Sequence, residues 1–466
     1  MSNQVKDYPR VLVISHNSFS DTNNNGKTLS AFFNGWPKDK LAQLYLWPED
    51  PDRTVCELFY RITDYEILAC FLRKNKKAGA ELTIERENAI KHPQSDLGNF
   101  VGSLYKNRGN HDGGKGLHYV IYELFKRRVP LALIVRDILW NLDYWKTDDL
   151  NEWLNKFSPE LVFYQSSNGV FAFRLVNWIS RNLKIPIIME VTDDYVSPNR
   201  TIDIFWWGHY FWLKKWFAKT VKKAYIVIAI GDLMAEEYQR RFGGKYNVLM
   251  NSVSVDEIES TSYANHDAQT VKFIFAGGLH LNRWKTLSVI GECLQELNTE
   301  GYRSQFDIFS NVEPITSIKK AITIPPIMRY QGSLNQDELK KTLNEAEILV
   351  HVEAFDRKSR TTTRLSISTK IPEYMVTGRC ILAVGPKEVA SMQYLQKNNI
   401  AEVCTSLDKK ILKDKLRCII KDADKRLAFG KRAQQIVSER HDATRTQITI
   451  KKHILNATNW TLSELT

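Results

Sequence analysis

The chain has 466 residues, 43% of them hydrophobic, and its 65 Lys plus Arg against 53 Asp plus Glu leave a net charge of +12. That length exceeds one ordinary core, so two domains are expected, and the cationic excess suits anionic partners such as nucleic acid, an acidic membrane surface or phosphorylated substrates. The six cysteines, at 56, 70, 293, 380, 404 and 418, form no C-x-x-C pair, which excludes a disulfide framework and a cysteine metal site and reads as reduced residues of a cytosolic protein.

The N-terminal "MSNQVKDYPRVLVISHNSF" lacks the long apolar core and cleavage site of a signal peptide. No stretch of the chain reaches the ~18 apolar residues of a membrane span. The first apolar run, Val11 to Ser15, is followed by "DTNNNGKT" at 21–28. A Walker loop needs a glycine five residues before the Gly-Lys-Thr glycine, and Asp21 stands there, so an ATPase reading is weak. A polar loop leading into a helix, or an adaptable loop over a ligand cleft carrying Asn25, Gly26 and Lys27, fits better.

Further short apolar runs follow at Leu44–Trp47, Leu161–Tyr164, Ile185–Val191 and Tyr225–Ile230, then at Phe273–Ala276, Phe306–Phe309, Ile348–Val352 and Ile381–Val384. They are near-continuous in Val, Ile, Leu and Phe, as buried parallel strands are, and helical patterns separate them. This predicts an α/β protein of two Rossmann-like doubly wound domains facing a central cleft. The spacing predicts a first domain over 1–252, a polar linker over 253–270, a second domain over 271–440 and a helical segment over 441–466 that packs back on the first domain. Residues 74–116, rich in Lys, Asn and Gly, read as a surface excursion.

Candidate site residues lie at strand ends. In "FYQSSNGVF", Gln165, Ser166 and Asn168 are natural sugar contacts and equally natural turn residues. In "IPIIMEVTDDY", Asp193 and Asp194 are placed to accept a hydroxyl proton or to cap a helix. "FWWGHYFWLKKWFAKTVKK", 205–223, puts Trp206, Tyr210, Leu213, Phe217 and Val221 on one helical face. Trp207, Trp212 and Trp216 fall elsewhere, beside lysines, which is the composition of a helix lying in an anionic membrane surface as well as of a core helix. In "FIFAGGLHLNRWK", Gly277 and Gly278 allow close backbone approach, and Arg283 and Lys285 stand at a helix entrance able to meet a diphosphate. In "LSISTKIPEYMVTG", Ser368, Thr369 and Lys370 form a helix start with anion-binding character. Glu373, one turn on, can accept from the hydroxyls of a ribose.

With "NNGKTL", "YRITD" at 60–64 and "STKIPEYMVTG" in place, the chain resembles the retaining, nucleotide-sugar-dependent glycosyltransferases of the GT-B fold, the bacterial group that builds capsule, exopolysaccharide and lipopolysaccharide. The likeness runs from the first strand to about residue 440. It implies transfer of a sugar, most naturally from a UDP-sugar co-substrate, to a glycan or lipid-linked acceptor, with no metal and no cofactor, and no nucleic-acid partner. It implies a cytoplasmic enzyme, peripheral at the inner face of the plasma membrane. The second glutamate of the family's pair, which holds the donor ribose, matches Glu373. The first is absent, because Leu365 stands at that spacing, and Glu353 is its displaced counterpart as a catalytic candidate. The arginine that often follows the first glycine of the donor domain is Gly278 here, which leaves pyrophosphate binding to Arg283 and Lys370, with Lys285 beside them. "YQGSLNQDEL", 330–339, resembles the loop beside the nucleobase. A nucleotide-sugar epimerase of the same architecture, and a non-enzymatic basic protein binding nucleic acid or membrane, are the alternatives.

Overall fold

The computed structural model describes residues 8–20, 24–73, 77–83, 129–198, 201–255, 258 and 270–459. Most of the expected linker 253–270 and of the expected excursion 74–116 lies outside them, as do residues 21–23 of the early loop. The chain divides into two compact units. Unit 1 comprises Met1–Ile228, Tyr238–Asn247 and Gln447–Thr466, and unit 2 comprises Ala229–Glu237 and Val248–Thr446.

Among the described residues, the first sheet has eight strands: β1 Val11–Ser15, β2 Leu41–Tyr45, β3 Leu58–Arg61, β4 Ala80–Glu81, β5 Leu161–Gln165, β6 Ile187–Val191, β7 Ala224–Ala229 and β8 Tyr246–Val248. Their order is β4-β3-β2-β1-β5-β6-β7-β8, and pairing is parallel from β3 through β6. The strands β1, β2, β5 and β6 are buried along their whole length, as helices on both faces require. Sequence pattern found the central strands and missed the short β3, β4 and β8, which carry no extended apolar run. From β1 the chain first winds toward β2 and β3, then passes to the other side at β5. The switch point of this sheet therefore lies between β1 and β5, where ligands of open α/β sheets bind.

The second sheet has six parallel strands: β9 Val271–Ala276, β10 Ser304–Phe309, β11 Met328–Gly332, β12 Ile348–Val352, β13 Cys380–Val384 and β14 Glu402–Cys404, in the order β11-β10-β9-β12-β13-β14. Alternate residues of β9 feed two cores. Phe273 and Phe275 join Leu287, Ile290 and Leu416 on one face, while Ile274 and Ala276 join Ile371, Tyr374 and Ile436 on the other. Its switch point lies between β9 and β12.

Local signals set the helix ends. Thr63 with Glu66 and Asn335 with Glu338 form complete capping boxes, and Asp203 caps helix Ile204–Lys223 through the N–H groups of Phe205 and Trp206. In that helix Tyr210, Leu213, Phe217 and Val221 are buried, as the stripe requires, but Trp206 is only half-buried. Trp207, Trp212 and Trp216 are also half-buried. Trp207 donates its indole N–H to the Thr201 carbonyl, and Lys219 lies 4.5 Å from the Trp216 ring centroid. Five cysteines are buried and Cys418 is exposed, all of them free thiols. The last helix, Ala443–Thr458, runs into unit 1, where Gln447 donates to the Ala31 carbonyl at 3.1 Å and Lys451 covers the Tyr8 ring.

Candidate active site

In unit 2, β9 ends at Ala276 and the chain turns through Gly277 and Gly278 into helix Arg283–Thr299. A Cβ at Gly278 would lie 2.4 Å from His280 Nδ1, so no side chain fits there without moving that ring. Leu281 and Asn282 both have positive φ, and they aim Arg283 back across the strand ends. Its Nη2 donates to both carboxylate oxygens of Glu353 at 3.2 Å. Glu353 directly follows β12, so this ion pair spans the switch point of the sheet.

The pair is well built. Glu353 is 2% exposed, and its carbonyl accepts from the Thr286 hydroxyl at 3.0 Å. Burial pushes its carboxyl up while Arg283 pulls it back down. His351 sits beside it, 3.7 Å from the same carboxylate, and burial holds its imidazole down at about 3, so it is neutral at pH 7. Asn282 is tied to Asp356 at 3.0 Å, which fixes the turn that carries Arg283. The expected role of Glu353 as a displaced catalytic glutamate meets an obstacle here: its carboxylate is buried and spent on Arg283. What the geometry gives it is the orientation of a guanidinium.

Helix Lys370–Val376 approaches the same place. Tyr374 OH accepts from the Ala276 N–H at 3.1 Å and donates to the Ala276 carbonyl, so the helix is stapled to the last residue of β9. The helix starts at Lys370, and Thr369, at its N-cap, makes no side-chain cap. Ser368 instead accepts from the Lys370 N–H at 3.3 Å. Lys370 Nζ and Glu373 Oε2 form a partly exposed i,i+3 pair at 2.9 Å. The two groups read from the sequence as phosphate and ribose ligands thus hold each other. Lys285 lies over the Trp284 ring at 5.5 Å.

In unit 1 the early segment departs from the expected loop. Asn25, Gly26 and Lys27 lie in the first turn of helix Asn24–Phe33. A Cβ at Gly26 would lie 2.5 Å from the Ser18 carbonyl oxygen, so the glycine serves close packing of this turn on the chain after β1. Asp193 and Asp194 separate in role. Asp194 accepts from the N–H groups of Val196 and Ser197 and from Tyr238 OH at 2.6 Å, a turn-forming carboxylate. Asp193 is exposed and accepts from Tyr195 OH at 3.3 Å. Gln165, at the end of β5, donates to Glu190 Oε2 at 3.0 Å and reaches the Asn25 carbonyl at 3.5 Å. Ser166 donates its N–H to the Glu190 carbonyl. Glu190 escaped the sequence reading. It sits inside the apolar run "IPIIMEV", and the interruption of a buried strand by an acid was the available signal.

No protein-family model matches the chain, and no curated protein matches it. Solved structures do. Anabaena HepE in complex with UDP matches with a TM-score of 0.59 at 13% identity, over 96% of this chain and 100% of that one. The chain has the GT-B fold. The sucrose-phosphate synthase of Thermosynechococcus elongatus matches with a TM-score of 0.58 at 10% identity, over 96% of this chain and 99% of that one. The UDP-forming α,α-trehalose-phosphate synthase of Burkholderia vietnamiensis matches with a TM-score of 0.57 at 11% identity, over 97% of this chain and 100% of that one. These likenesses extend over both units of the GT-B fold, and the site chemistry rests on this chain's own residues.

Proposed function

We propose that the protein is a glycosyltransferase that moves a sugar from a nucleotide-sugar donor, a UDP-sugar, to a glycan or lipid-linked acceptor of surface polysaccharide. In this reading unit 2 holds the donor and unit 1 the acceptor, the anomeric configuration is retained, and no metal takes part. The observation that carries it is the Tyr374 staple. It brings the helix bearing Lys370 and Glu373 to the strand end from which Gly277, Gly278 and Arg283 depart. Glu373 then accepts from the ribose hydroxyls once Lys370 turns to the diphosphate. Arg283, preset by Glu353, meets the charge that develops on the leaving diphosphate. HepE has been solved with UDP and with UDP-glucose, which supports the choice of a UDP-sugar. Thermal melts with a panel of UDP-, GDP- and ADP-sugars test it. A UDP-sugar raises the melting temperature by mass action, and a flat response to the whole panel overturns the reading. EDTA leaves turnover unchanged.

A lipid-linked acceptor would place the enzyme on an anionic membrane surface. No helix among the described residues is long and apolar enough to cross a membrane. What supports surface attachment is an outward apolar stripe on helix Pro130–Trp140, where Leu131, Val135 and Ile138 are exposed at helical spacing. Helix Ile204–Lys223 packs against it, with Gly208 facing Ile134, and adds exposed Ile204 and Phe211 together with Lys215, Lys219 and Lys222. This is apolar surface bordered by cations, which suits acidic lipid headgroups. Replacing Leu131, Ile138 and Phe211 by Ser abolishes pelleting with anionic vesicles at low salt. Equal pelleting of variant and wild type rejects this surface.

A further inference from the structure

The carboxyl end of the unit-1 sheet carries a polar row. β1 pairs with β5 up to Ile14 and Tyr164, and β5 pairs with β6 up to Gln165 and Glu190. Ser15 and Gln165 end the two strands that flank the switch point, and Glu190, the penultimate residue of β6, lies next to Gln165 at the carboxyl end of the sheet, where a doubly wound fold presents its ligand contacts.

Glu190 is 2% exposed. Among the described residues no cation pairs with it, and its hydrogen-bond donor is the Gln165 amide at 3.0 Å. Burial accordingly pushes the carboxyl up to about 7. A buried carboxylate with one neutral partner is costly to keep, and such groups concentrate where a ligand completes them. The residues that directly follow β5 and β6 also carry incomplete hydroxyls. Among the described residues, Ser166 Oγ, on a residue 4% exposed, and Thr192 Oγ1 are buried with no hydrogen-bond partner. Ser166 follows β5 and Thr192 follows β6, each directly, so both flank the Gln165–Glu190 pair.

The chemistry of the missing ligand follows from what is offered. The carboxylate accepts only, the amide N–H donates, and each hydroxyl does either. Acceptor and donor stand side by side, the pattern that two neighbouring hydroxyls of a sugar satisfy, because each hydroxyl both donates and accepts. The carboxylate disfavours a phosphate or another anion.

We propose that Glu190 and Gln165, with the hydroxyls of Ser166 and Thr192, form a sugar-hydroxyl subsite at the carboxyl end of the unit-1 sheet, in which Glu190 accepts a hydrogen bond from one hydroxyl and the Gln165 N–H now 3.5 Å from the Asn25 carbonyl turns to its neighbour. The subsite rests on the glycosyltransferase reading only for the choice of sugars as probes. The hydroxyls belong either to an acceptor glycan or to the hexosyl group of the donor.

The test measures binding of free glucose, galactose, mannose and N-acetylglucosamine, of the UDP-linked forms of the same sugars, and of UDP alone. Saturation-transfer NMR on the full chain reads wild type against Glu190→Gln, Glu190→Asp and Gln165→Ala. Glu190→Gln keeps the shape and removes a buried charge, so it folds, and circular dichroism checks this. At least one hexose binds wild type tenfold or more tightly than Glu190→Gln and Gln165→Ala, with partial recovery in Glu190→Asp. Binding of the free hexose assigns the acceptor side, and binding of the UDP-linked form alone assigns the donor hexose. If no hexose, free or UDP-linked, distinguishes wild type from Glu190→Gln, the pair is structural only and the subsite is rejected. UDP binds wild type and Glu190→Gln alike. Its failure to bind wild type would count against the donor reading of unit 2 and leave the hexose comparison to decide the subsite.

Discussion

Each unit places a buried glutamate at the carboxyl end of its sheet, at or next to the switch point, and the two are treated in opposite ways. Glu353 in unit 2 meets a guanidinium that donates to both its oxygens, while Glu190 in unit 1 meets a side-chain amide. Both are 2% exposed, so burial does not separate them. The partner does. A carboxylate closed by an arginine has its charge answered within the protein and serves to aim that arginine. A carboxyl closed by an amide has no cation to answer its charge among the described residues, so it holds its proton more tightly and is left open to a ligand. By this comparison unit 2 is preset for an anion, through Arg283, and unit 1 for hydroxyls, through Glu190.

Removing the partner should expose the difference most strongly in unit 2. Arg283→Met leaves Glu353 buried with no cation, which costs about 3–5 kcal/mol of stability. The double variant Arg283→Met with Glu353→Gln should recover much of that loss. A double-mutant cycle in urea, followed by a probe in unit 2, measures the coupling, and additive losses would show that the pair does not act as a unit.

Glu190→Gln should act with the opposite sign. The folded state holds the Glu190 proton up to about pH 7, against an ordinary value of 4.5. The stability this group contributes is therefore full below about pH 4.5 and lost as pH rises through 7. The ionisable groups of the adjoining segments, Asp193 and Asp194 after β6, Glu49 after β2 and Lys27 on helix Asn24–Phe33, do not change that sign. Glu190→Gln should thus be more stable than wild type at pH 8 by on the order of 3 kcal/mol, with the gap closing toward pH 5. Parallel melting curves of the two proteins from pH 5 to 8 would refute it.

The donor side sharpens the comparison through ligand rather than stability. Glu373→Gln keeps the fold and weakens UDP-sugar binding by roughly 1.5–3 kcal/mol, the range for a hydrogen bond to a charged group. Calorimetric titration reads this, and unchanged affinity removes Glu373 from the ribose. A smaller effect is expected at the staple. Tyr374→Phe leaves the buried Ala276 N–H without its acceptor, at a cost of about 1–3 kcal/mol in stability. It also loosens the helix carrying Glu373, so UDP-sugar affinity falls with it. Loss of stability with affinity intact would show that the staple does not position the donor helix.

Much of this was legible in the chain alone. Short continuous runs such as "VLVIS", "CILAV" and "ILVHV", rich in β-branched residues and separated by helical patterns, read as strands buried on both faces, because their side chains leave no polar side to turn to water. Capping residues such as Asn335 and Glu338 fixed helix starts for the same local reason: the free N–H groups of a first turn need nearby acceptors. Arg283, Lys370 and Glu373 could be named because cations and carboxylates at helix entrances carry a chemical meaning independent of what surrounds them.

What remained was decided by neighbours distant in sequence. That Glu353 lies against Arg283 depends on β9 and β12 being adjacent in the sheet, 70 positions apart at the contact. That Asp194 is held by Tyr238 while Glu190 receives, among the described residues, Gln165 depends on strand register and on which helix covers which loop. The lettered chain offers "MEVTDD" as three equivalent acids. A carboxyl group's pKa and role are set by the groups within a few ångströms of it and by the water it has lost, and both are properties of packing. Sequence by itself determined where the buried central strands run and which helix entrances carry cations and carboxylates. The tertiary structure decided which carboxylate is answered and which is left waiting for a ligand.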